Sequence, residues 1–122
     1  MNALAGYAQT ETVGMDEKEM EIRALIKSSA LLNQIKENWD ERHKELPQAL
    51  DKNRRLWSFL ASGARDESCQ HSDLVRQNII NLANFIFKRT YETLSHPAPE
   101  KLEILISINM QIANGLAGKA AD

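Results

Sequence analysis

Apolar residues recur every three or four positions along four stretches of this chain, and in two of them an asparagine stands where leucine is expected. Asn53 falls in the series Leu46, Leu50, Asn53, Trp57, Leu60, and Asn109 in Leu102, Leu105, Asn109, Ile112, Leu116. Spacings of three and four put each set on one face of an α-helix. An asparagine buried there costs about 1–3 kcal/mol if its amide finds no partner. The two therefore predict a specific polar pairing inside the fold, an interhelical latch that fixes register. Asn78, on the apolar face of a third helix, is a candidate third member. Trp57 reads as core, and its indole N–H then needs an acceptor.

The same periodicity lays out the chain. Residues 1–15 are small and polar, with two glycines and no repeat, and read as a mobile arm in which Tyr7 is the largest side chain. A first helix is expected from Asp16, a suitable N-cap, to about Arg42, with Ile22, Leu25, Ile26, Leu31, Leu32, Ile35 and Trp39 as its apolar members. Their arc is wider than the stripe of a simple surface helix. Pro47 opens a second helix that Ser62-Gly63 should stop near Ala61. Ser72 caps a third, to about Leu94, whose core face reads Val75, Asn78, Leu82, Phe85 or Ile86, and Arg89. Pro97 and Pro99 break the chain, and Pro99-Glu100 begins a last helix to about Leu116. No β alternation or hairpin signal occurs. The expected fold is all-α: a compact antiparallel bundle of about four helices over 16–117, with a flexible tail at 118–122.

Composition excludes several functions. A length of 122 residues suits one domain with a real core. A net charge of −2 without a dense Lys/Arg block lacks the basic footprint of a nucleic-acid binder. The nearest basic patches, Arg54-Arg55 and Lys88-Arg89, read as solvated helix faces, the first paired with Asp51. No run reaches the roughly 20 apolar residues of a membrane span, and the first residues lack the pattern of a secretory signal. The single cysteine, Cys69, suits a reducing compartment. The expected location is the cytoplasm.

Catalytic constellations are lacking too. His43, His71 and His96 fall at helix ends or in linkers, with no metal-ligand spacing. Cys69-Gln70-His71 brings a thiol near an imidazole, but without an oxyanion device or a third member it reads as a passive thiol. No phosphate loop, nucleophile elbow or paired CxxC is present. A non-enzyme without metal or cofactor is expected.

The last helix points elsewhere. Leu102, Ile104, Leu105, Ile106, Ile108, Met110 and Ile112 surround its axis almost completely, which is hard to enclose in so small a domain. An exposed apolar strip, and hence a protein-binding role, follows. With the asparagine face assigned to the core, Ile104 and Ile108 lie round from it. Phe59 and Phe87 are similarly offset on their helices. These four are the expected partner-binding residues.

In order and spacing these segments resemble the FlaF family of flagellar biosynthesis regulators. The resemblance rests on Tyr7, on the acidic helix start Glu17, Glu19 and Glu21, on Asn53 followed by Leu56-Trp57, on Ile79-Ile80-Asn81-Leu82, and on Ile108-Asn109 with Gly115-Leu116. It runs from about Tyr7 to Leu116 and leaves the Cys69–His71 loop unmatched. It implies a helical regulator that binds flagellin, promotes its synthesis and export, and acts opposite a translational repressor, FlbT. The alternative it leaves is an RNA-associated regulator of the flagellin message acting with that repressor.

Overall fold

A computed structural model of the chain describes residues 16–118. The arm at 1–15, with Tyr7, and most of the expected tail lie outside the described residues. Among the described residues every regular element is helical. Four long helices, α1 (Glu17–Glu37), α2 (Leu46–Arg65), α3 (Asp73–Ser95) and α4 (Leu102–Leu116), carry the fold.

Local chemistry sets their ends. The Asp16 carboxylate accepts the Glu19 N–H at 2.8 Å and so satisfies one of the orphan donors at the start of α1. That helix stops at Glu37, not at Arg42 as the apolar pattern suggested. Asn38 leaves the helical region, and both its backbone N–H and its side-chain Nδ2 turn back onto the Gln34 carbonyl. A single helical turn (Trp39–Arg42) and a 3-10 turn (His43–Glu45) then reverse the chain. Arg42 forks onto the Glu45 carboxylate at 2.7 and 2.8 Å and also reaches Gln34, which holds this corner.

The second helix runs past Ala61 to Arg65, because Gly63 sits within it instead of ending it. A lone glycine costs a helix only about 1 kcal/mol, less than the buried Ala61 and Ala64 return by packing. The Ser72 hydroxyl accepts the Val75 N–H at 3.3 Å to start α3. A 3-10 turn at Pro99–Lys101 leads into α4, and Gly118 takes a positive φ of 77° after its end.

The helices pack as two close pairs, α1 with α4 and α2 with α3, and α1 also lies against α2. Lys36, near the end of α1, sits 3.8 Å from Glu103 at the start of α4, so that pair is antiparallel. The core is formed by Leu25, Leu32 and Ile35 of α1, Leu50 and Trp57 of α2, Ile86 of α3 and Leu102 and Leu105 of α4, all fully buried. By contrast α3 and α4, though consecutive, barely meet.

Candidate functional site

Asn53, Trp57 and Asn109 are fully buried, and they find one another across the centre of the bundle. The Trp57 indole N–H donates to Asn109 Oδ1 at 2.7 Å, Asn109 Nδ2 donates to Asn53 Oδ1 at 2.7 Å, and the Ser28 hydroxyl donates to the same oxygen at 2.8 Å. An indole can only donate, so Trp57 fixes which way the Asn109 amide faces and, through it, the Asn53 amide. The chain of bonds ties α1, α2 and α4 at one level. It leaves Asn53 Nδ2 buried with no hydrogen-bond partner. Apart from that amide nitrogen its polar side-chain groups are spent on one another, an arrangement suited to holding the register of the helices.

Leu56 is buried beside this network, whereas Gly115 is exposed and Leu116 half-buried at the end of α4. Asn78 does not join it. It is exposed, and the buried face of α3 departs from the expected one except at Ile86, the alternative to Phe85, and at Leu82, which is half-buried against the core. The buried series is Ile79, Ala83, Ile86, Thr90 and Thr93. The expected series taken through Phe85 (Val75, Asn78, Leu82, Phe85 and Arg89) is centred roughly 80° round the helix at 3.6 residues per turn. Both run in threes and fours, and α3 turns its smaller residues inward, where α2 lies close. Ile86 is in the core and Phe85 is not.

Of the expected partner-binding residues, Ile108 needs correction. Ile108 is only 7% exposed and belongs to the core cluster. It directly precedes Asn109, and the buried face of α4 is wide enough to take in both. Ile104 and Phe87 are half-buried and packed on the core, and Phe59 is half-buried on α2. The surface apolar residues lie instead mostly on α3, with Leu74 82%, Tyr91 74%, and Val75 and Phe85 each 41% exposed.

Charged groups offer no competing site. Asp51 accepts Arg54 at 2.8 Å and Arg55 at 2.9 Å, so that basic pair is neutralised in part on its own helix. These contacts, led by the Arg54 hydrogen bond, hold the Asp51 carboxyl below its ordinary range. Glu21 departs the other way. Burial on the inner side of α1, and then the charge of Glu17, push it up to about 7. Among the described residues no three His, Cys, Asp or Glu side chains converge as a metal site requires. No described helix is long and apolar enough to cross a membrane.

The family model for the flagellar protein FlaF matches residues 3–116, nearly the whole chain. The chain belongs to the FlaF family. The match takes in all four helices, the buried Asn53–Trp57–Asn109 network and the apolar outer surface of α3. Neither a curated protein nor a solved structure matched the chain.

Proposed function

We propose that the chain is a non-enzymatic regulator of flagellum biogenesis that binds flagellin and promotes its synthesis and export, as a chaperone does. The observation that carries this reading is the exposed apolar surface of α3 on a bundle whose core is already complete without it. Large apolar side chains left exposed along one helix of a small domain favour a protein-binding reading. Membership of a flagellar family supplies the candidate partner. Unpolymerised flagellin carries amphipathic terminal helices, and a helical surface of this kind covers them in the helix-in-groove mode. Control of translation then runs through sequestered flagellin or through contact with a FlbT-like repressor. Direct capture of message is poorly supported by a net charge of −2 and by arginines already engaged with Asp51 and Glu45.

Size-exclusion chromatography of the purified chain with monomeric flagellin tests the reading. Co-elution that persists at high salt supports it. No shift with flagellin, together with RNA binding that collapses as salt rises, would replace it with the RNA-associated regulator.

A further inference from the structure

The two helix pairs, α1 with α4 and α2 with α3, form two layers that the chain joins at one end only. It passes between them twice, through 38–45 and through 96–101. Lys36 beside Glu103 brings the end of α1 to the start of α4, and the turn at Pro99–Lys101 packs on α1. Both crossings therefore lie at that end. The far end holds the start of α1, the end of α4 and the loop between α2 and α3. The Arg76 bond to the Ala64 carbonyl, at 2.7 Å, lies at this end and stays within one layer.

The core is unequal along this axis. Toward the crossings it holds Leu32, Ile35, Leu46, Leu50, Leu102 and Leu105, each no more than 2% exposed. Beyond the Asn53–Trp57–Asn109 level, Leu25 is the one large side chain buried as fully. The rest of the buried lining there is Ala61, Ala64 and Ala113, with Leu60 and Ile79 each 6% exposed. Burial stabilises in proportion to apolar area, and an alanine offers far less of it than a leucine. The far half is the more weakly held. Between the halves stands the polar network, and all three of its bonds cross from layer to layer: Ser28 to Asn53, Asn109 to Asn53, and Trp57 to Asn109. Parting the layers at that level breaks the three together and exposes Trp57, the largest fully buried side chain.

We infer that the two layers part at the far end while the crossing end stays closed, and that the buried network is the latch at which the parting stops. Each layer moves as a pair of helices, because the close packing of α1 on α4 and of α2 on α3 is left intact. The open form bares an alanine-lined apolar cleft that the closed form hides. This conformational device does not depend on the flagellin-binding reading, and it stands or falls on the free chain.

Thiol labelling of the full chain tests it. Cys69→Ser removes the single native thiol. In that background one cysteine is placed beyond the latch, by Ala61→Cys or Ala113→Cys, or toward the crossings, by Ala49→Cys or Thr93→Cys, all at positions no more than 2% exposed. Each variant is checked for helical content, and if one of a pair does not fold the other stands for its end. Labelling rates are taken relative to the same variant unfolded. Cysteines beyond the latch should react at least about tenfold faster than those toward the crossings, at a rate nearly independent of dilute denaturant, as local opening requires. Those toward the crossings should react only through global unfolding, at a rate that climbs steeply with denaturant. A smaller difference between the ends, or faster labelling toward the crossings, would overturn the inference.

Discussion

Asn109 Nδ2 donates to Asn53 Oδ1 over 2.7 Å between side chains 56 residues apart in sequence, and both residues are fully buried. The bond fixes the register of α4 against α2 at a level where their backbones stay apart. Replacing Asn109 with alanine removes this donor and also the only acceptor that the buried Trp57 indole has among the contacts described. Replacing Asn53 strands the Asn109 amide but also removes the unpartnered Nδ2 of Asn53 itself. Each change should cost about 1–3 kcal/mol, with Asn109→Ala the larger. The double variant should cost less than the sum, because neighbours in one network are not additive. Denaturant unfolding of the four proteins measures this, and strictly additive losses would contradict the pairing.

Stability should also depend on Glu21. Its pKa in the fold, about 7, lies above its ordinary 4.5. Between those values the folded chain binds more protons than the unfolded one, so stability falls as pH rises from about 4.5 through 7 and stays lower above it. Glu21→Gln should flatten that part of the profile and melt higher than wild type at pH 8. Parallel melting profiles of the two proteins across this window would show the carboxyl to be solvated.

Arg76 fastens the start of α3 to the end of α2. Its Nε donates at 2.7 Å to the Ala64 carbonyl, one of those the end of a helix leaves unpaired, and an Nη donates at 3.2 Å to the Asp66 carbonyl, which also accepts the Cys69 N–H. Arg76→Met keeps the aliphatic stem and loses both bonds, and should cost about 1–2 kcal/mol. Arg76→Lys should recover only part, because an ammonium cannot present the same fork. Hydrogen exchange should quicken in the last turn of α2 and the loop after it. Unchanged exchange there would remove Arg76 from this role.

Two helical glycines should tolerate a side chain. Gly63 lies in α2 and Gly115 in α4, and a Cβ added at either meets nothing within 4 Å. Alanine should stabilise each by about 0.5–1 kcal/mol through lost freedom of the unfolded chain. Thermal melts check this. A stabilised Gly115→Ala that binds flagellin less well would place Gly115 at a close approach to the partner.

The polar centre was legible because polar residues are rare among leucines at helical spacing, and an asparagine there has few ways to be satisfied. The acidic cap of α1 and the serine cap of α3 were legible for the same local reason. The inner face of α3 was not. Two stripes share its periodicity, and the larger side chains of Val75, Leu82 and Phe85 pointed to the outer one, while Ala83, Thr90 and Thr93 are buried because α2 approaches closely. Size and hydrophobicity do not encode proximity. Ile108 was misplaced for a related reason: on a helix apolar nearly all round, sequence cannot say how wide an arc its neighbours cover. Asn38, which ends α1 four residues before Arg42, acts through its own turn back to Gln34, a local contact that apolar periodicity does not register.

Flagellin binding by an apolar helical surface is most directly measured by calorimetry of the intact chain against monomeric flagellin at several temperatures and two salt concentrations. A saturable complex with a negative heat-capacity change and an affinity nearly unaffected by salt is the predicted result. No binding at any temperature would contradict the account, and so would an affinity that falls steeply with salt, the mark of an association held by charge.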